Sequence, residues 1–205
     1  MHTHPYNRRI AAAVMTLGTF TGLSGATFVA AGTAQAATRS AHAAGTGLAC
    51  NGSFETPVVA PPWQNFTAGH TIGCWTVGAG NVDLLHSNTA ADGVQYVDLD
   101  GTNADGEVHQ SIATTAHAVY TISFKLSGNP AGAPTVKTVV VTFAATTKTF
   151  QFSTVGVTAN ALKWQTIAFD APAIASQTTL SIKSTDPANG HNSFGAFIDA
   201  VSIAS

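Results

Sequence analysis

The chain has 205 residues, with 8 Lys and Arg against 10 Asp and Glu, a net charge of −2 and only 9% charged side chains. Removal of residues 1–36, argued below, takes away Arg8 and Arg9 and leaves 169 residues at net −4, enough for one domain with a full core. This balance excludes nucleic acid and an anionic membrane surface, which need clustered Lys and Arg, while the abundance of Thr, Ser, Gly and Val points to extracellular β-structure.

At the N-terminus Arg8 and Arg9 precede an uncharged run over 10–31, followed by the small-x-small sequence Ala34-Gln35-Ala36. That pattern predicts a cleavable signal peptide over 1–36. Thr16, Gly18, Thr19, Thr21, Gly22, Ser24 and Gly25 dilute the run too much for a permanent membrane span, so no membrane contact is expected after cleavage. Leu48-Ala49-Cys50 resembles a lipidation box, but the cysteine lies far beyond the apolar run and Gly47 stands where an aliphatic residue is needed. Residues 37–47 are small and polar and predict a flexible leader.

The domain is expected over 48–205. Its two cysteines, Cys50 and Cys74, are expected to form one disulfide in an exported chain. Residues 60–66 (APPWQNF) read as a Pro-rich, charge-free loop that carries Trp63 and Phe66. Beyond them, strand signals recur between turns: Val82, Leu84 and His86; Val94, Tyr96 and Leu99; and the clear alternation of Tyr120, Ile122, Phe124 and Leu126. Val136–Phe143 is apolar on both parities and predicts a strand buried on both faces. Phe150 and Phe152, Ile167 and Phe169, and Leu180 and Ile182 continue the pattern, and 194–203 closes the domain with Phe197, Asp199, Val201 and Ile203 on one parity. Turns fall at Gly78-Ala79-Gly80, Asp100-Gly101, Asp105-Gly106, Gly128-Asn129-Pro130, Asp186-Pro187 and Asn189-Gly190. Nine to eleven short strands at this spacing predict an all-β jelly-roll sandwich with no second domain.

Several motifs occur together in order: Asn51-Gly52-Ser53-Phe54-Glu55-Thr56-Pro57, Gly73-x-Trp75-Thr76-Val77, Asn81-Val82-Asp83-Leu84-Leu85, 91–101 (ADGVQYVDLDG), Gln110, Tyr120-Thr121-Ile122-Ser123-Phe124, Ser127-Gly128-Asn129-Pro130 and Ile198-Asp199-Ala200-Val201-Ser202-Ile203. As a set they resemble the DUF642 group and, within it, the bacterial choice-of-anchor C domains. The resemblance implies a galactose-binding-like jelly roll, related in fold to carbohydrate-binding modules. It also implies a partner in cell-wall or extracellular polysaccharide, as for plant members of the group. Relatives usually have Pro where this chain has Cys74, so the disulfide reads as a local addition. Choice-of-anchor members often continue into a sorting tail, and with none before Ser205 the expectation is a released protein.

The resemblance further implies a structural Ca²⁺ where the first and last strands meet, held by Glu55 and Asp199 with carbonyls near Asn51 and Ser53 completing the shell. A second oxygen-rich stretch, Asp98, Asp100, Asn103, Asp105 and Glu107, lacks EF-hand spacing and reads as a hairpin whose side chains bond their own turns. Sugar binding needs flat aromatic faces with amides or carboxylates beside them. Trp63, Phe66, Trp75 and Trp164 are the candidate faces, and Gln95, Gln110, Asn129 and His191 the candidate polar partners. No Gly-x-Ser-x-Gly or His-Glu-x-x-His motif is present, and the acidic residues fall mostly in turns, so no catalysis is expected. The leading expectation is a secreted, non-catalytic polysaccharide-binding protein. The alternative is an adhesive surface protein that contacts other proteins and has no sugar site.

Overall fold

The computed structural model describes residues 47–102, 104–186 and 193–205. The signal peptide and most of the leader lie outside the described residues, as do Asn103, His191 and the turn at Asn189-Gly190. Fourteen strands are formed within the described residues: β1 Trp63–Thr67, β2 Thr71–Ile72, β3 Trp75–Ala79, β4 Asn81–His86, β5 Gln95–Asp98, β6 Asp100–Gly101, β7 Ala104–Asp105, β8 Glu107–Ala113, β9 Val119–Gly128, β10 Val136–Phe143, β11 Thr146–Ser153, β12 Gln165–Pro172, β13 Gln177–Ser184 and β14 Ala196–Ala204. The count exceeds nine to eleven because β2, β6 and β7 are two-residue strands with no hydrophobic alternation to reveal them.

Two six-stranded antiparallel sheets make the jelly-roll sandwich, in the orders β1-β4-β5-β14-β9-β12 and β11-β10-β13-β8-β3-β2, with β6-β7 as a separate ribbon. The strand that ends the chain, β14, sits inside the first sheet between β5 and β9. Alternation places Tyr120, Ile122, Phe124 and Leu126 of β9 in the core. Val82 and Leu84 of β4, Val139, Val141 and Phe143 of β10, and Leu180 and Ile182 of β13 join them.

Three expectations are corrected by packing. Strand β10 is buried on one face only: Val139, Val141 and Phe143 point inward, whereas Thr138, Val140 and Thr142 are half-buried because no second layer covers that side of the sheet. Residues 60–66 do not form a free loop; Trp63–Thr67 pairs with β4 as the edge of the first sheet, and Phe66, opposite Val82, enters the core. In β14 a bulge falls between Asp199 and Ser202, with Ala200 at φ 49°. The extra residue changes parity, so Ile198, Val201 and Ile203 face the core while Phe197 and Asp199 share the other side.

The start of the domain is fastened rather than stranded. Leu48 N–H donates to Ile203 O and Val201 N–H to Gly52 O, both at 2.8 Å. A Cβ on Gly52 would lie 1.9 Å from the Val201 carbonyl oxygen, so this close approach requires glycine. Phe54 then inserts against Trp75 with ring centroids 5.4 Å apart, both fully buried. Cys50 and Cys74 are bonded as expected, across a sequence separation of 24 residues. Closing a loop of that length constrains the unfolded chain by about 3.5 kcal/mol. Reduction, or Cys74→Ser, is therefore expected to lower Tm by about 7–14 °C with an unchanged far-ultraviolet spectrum, as read by calorimetry with and without dithiothreitol.

Candidate functional site

The segment 50–62 carries little ladder hydrogen bonding of its own, and buried side chains satisfy it. Gln110 grips Cys50 at both ends, accepting from its N–H at 2.8 Å and donating to its carbonyl at 2.9 Å. Asn51 donates to Thr56 O and Ile72 O and accepts from Thr56 N–H. Fully buried Gln95 accepts from Val59 N–H at 2.7 Å and donates to Phe54 O and Pro57 O. These contacts settle what three expected ligand groups do. Gln95 and Gln110 hold backbone, and Trp75 is fully buried with its indole N–H on Asn51 O at 3.0 Å. Trp75 and Phe66 therefore offer no ring face to a ligand, which corrects the sequence expectation for both. Gln110 does line a polar cavity of about 480 Å³ with Thr76, His109 and Ser111, but its amide is already bonded at both ends.

Asn129 is likewise a structural residue. Its Nδ2 donates to Asp98 Oδ2 at 3.0 Å, and its Oδ1 accepts from Ala131 N–H. Trp164 is half-buried, edge-on to Tyr96 at 5.5 Å, and donates to Thr89 O at 2.8 Å, which fastens the 87–94 segment over the outer side of the first sheet.

Glu55 and Asp199, the expected calcium ligands, meet the same segment. Glu55 Oε1 accepts from Val94 and Gln95 N–H at 2.8 and 2.7 Å. Asp199 Oδ2 accepts from Ala91 and Asp92 N–H at 2.8 and 2.9 Å, and Oδ1 from Ala200 N–H. Gly93 sits between these contacts at φ +66°, and a Cβ there would lie 2.3 Å from Glu55 Oε1. Burial raises the Asp199 carboxyl to about 7 against the three amide bonds, which pull the other way. Two amides occupy Glu55 Oε1 and two occupy Asp199 Oδ2, so both side chains hold the backbone of residues 91–95.

What remains accessible is on β1 and β4. Trp63, opposite Leu85, is 49% exposed, and the alternation that buries Phe66 turns Trp63 and Asn65 outward together. They stand roughly 6.6 Å apart along the strand. Asn65, opposite Asp83, donates to Asp83 Oδ1 at 2.6 Å and Asn81 Oδ1 at 2.9 Å, while Asn81 Nδ2 reaches Thr102 O beside the ribbon. Burial raises the Asp83 carboxyl and the Asn65 bond opposes the rise. An open indole thus shares one sheet face with two amides, held in place by the buried Asp83 beneath them, a set suited to the C–H face and hydroxyls of a sugar ring. Sequence reading found Trp63 but missed Asn65, Asn81 and Asp83, because only the β1–β4 register sets them beside it.

The DUF642 family, described as "Protein of unknown function (DUF642)", matches residues 47–204. The chain belongs to the DUF642 family. Solved structures also align with this DUF642 domain. TmCBM61 in complex with β-1,4-galactotriose aligns with a TM-score of 0.47 and 17% identity, over 77% of this chain and 97% of that one. A family 35 carbohydrate binding module from Clostridium thermocellum aligns at 0.47 and 13%, over 69% and 98%. An arabinose-bound α-L-arabinofuranosidase aligns at 0.51 and 11%, over 77% of this chain and 26% of that one. At these identities the likeness shows the fold alone. No curated protein matches the chain.

Replacing Glu55 by Gln weakens charge-assisted bonds to two amides and is expected to cost about 1.5–3 kcal/mol. The loss of Tm should be the same in calcium and in chelator. A penalty that appears only in calcium would instead make Glu55 and Asp199 cation ligands.

Proposed function

We propose that this DUF642 protein is a secreted, non-catalytic protein that binds extracellular or cell-wall polysaccharide on the β1–β4 face of its first sheet, with Trp63 as the stacking platform. The observation that carries the reading is the half-exposed Trp63 ring on the same face as Asn65, Asn81 and Asp83. A single exposed apolar side chain is ordinary, so the reading rests on the indole together with the polar groups beside it. Beside it, Asn65 and Asn81 are fixed by bonds from their Nδ2 groups to Asp83, to each other and to Thr102 O, so they face hydroxyl groups mainly as acceptors.

The non-catalytic part is supported by where most of the acids lie. Asp83, Asp98, Asp100, Asp186 and Asp199 are buried, and Glu55 is engaged with backbone. Asp92, Asp105, Glu107 and Asp170 are more accessible, and glycoside cleavage would need two of them to flank one open cleft. Export is supported by the Ala34-Gln35-Ala36 pattern and by the disulfide, which persists in an oxidising compartment.

The test is depletion of the protein on a panel of insoluble polysaccharides, followed by affinity electrophoresis on those that retain it. Trp63→Ala is expected to weaken retention about tenfold, equivalent to about 1.4 kcal/mol, with the melt unchanged because the ring adds little to the core. Retention on no glycan of a broad panel, or equal retention of wild type and Trp63→Ala, would discard the site and favour the adhesive alternative.

A further inference from the structure

The far end of the sandwich carries three buried acids that backbone amides serve unequally. Asp98, Asp100 and Asp186 converge there from β5, β6 and the exit of β13, and all are buried. Asp98 is fully served: Oδ1 accepts from Asp100 and Gly195 N–H, and Oδ2 from Asn129. Asp100 differs. It is 1% exposed, and neither of its carboxylate oxygens has a hydrogen-bond donor. Asp186, 3% exposed, accepts from Thr138 N–H through Oδ1 at 2.5 Å, while its Oδ2 has no donor. The two carboxylates are neighbours, and the Ser184 hydroxyl lies beside Asp100.

We propose that Asp100 and Asp186 form a calcium site at this end of the sandwich, separate from Glu55 and Asp199. Three buried, donor-free carboxylate oxygens lie on two neighbouring side chains, where bare charge is costly: burial raises Asp100 to about 7 and Asp186 to about 6, and a bound cation would keep both ionised. No side chain does this directly: among the described residues the one ion pair is His109 with Glu107. Lys137, buried nearby, donates to the carbonyls of Gly132 and Phe194, and its single charge acts on Asp186, Asp98 and Asp100 from beyond ion-pair distance, too little to balance them all. A hard cation satisfies all three oxygens at once. The donor set is oxygen only, with no thiolate or imidazole among the described residues around it, which selects calcium over zinc. Asp100 supplies two oxygens and Asp186 one, and the rest of the shell comes from hydroxyl, carbonyl and water oxygens, since Asp98 is already engaged with its own donors. Asp100 lies in β6 and Asp186 follows β13, so the ion would tie the β6–β7 ribbon to the second sheet.

The test is a set of melts of the full chain with chelator, calcium or magnesium, with calorimetric titration of calcium into the wild type. Calcium at about 100 times its Kd should raise Tm by about 5–10 °C, and magnesium by much less. The calcium response should vanish in Asp100→Asn and in Asp186→Asn and persist in Glu55→Gln. The two Asn variants remove a buried charge without changing shape, so in chelator they should melt no lower than the wild type. A calcium response that survives both Asn variants overturns the site. So does a wild type that shows no saturable calcium heat, whatever the variants do.

Discussion

The irregular segments over 50–62 and 87–94 impose the constraint on which the structure depends: their backbone groups lie against a packed core and must find partners there. Gln95 is the centre of that solution. From inside the protein it bonds the backbone of Phe54, Pro57 and Val59, three points of a segment with no strand neighbour. Gln110 does the same for Cys50, and Glu55 and Asp199 for residues 91, 92, 94 and 95. Phe54 and Val59 can seal the core only because those bonds hold their backbone in place.

The same constraint sorts the aromatic residues by use. Trp75 and Trp164 each give their indole N–H to a carbonyl of one of these segments, Asn51 and Thr89, and their rings pack on Phe54 and Tyr96. Both are fasteners. Trp63 stands on an edge strand beyond the fastened segment, and its exposure singles it out. The acids divide along a similar line. Asp98, Asp199 and Glu55 accept from backbone N–H donors, which favour the ionised carboxylate. Asp100 has no such donor, and burial raises its carboxyl to about 7.

The sequence by itself determined the all-β sandwich, the disulfide and the family. Alternation in β9 or β13 records directly which side faces a core, two cysteines leave one pairing within the chain, and the ordered motifs identify DUF642. Only the tertiary structure decided the parity of β14, the one-sided burial of β10 and the roles of Gln95, Gln110, Asn129, Glu55 and Asp199. A bulge, a missing second layer and a hydrogen-bond partner 30 to 110 residues away leave no local trace in composition or periodicity. Trp63 was legible as an unusual aromatic residue in a Pro-rich stretch. That Asn65, Asn81 and Asp83 stand beside it, and that Asp100 faces Asp186, follows from strand pairing and packing between distant segments, which the order of residues along the chain does not show.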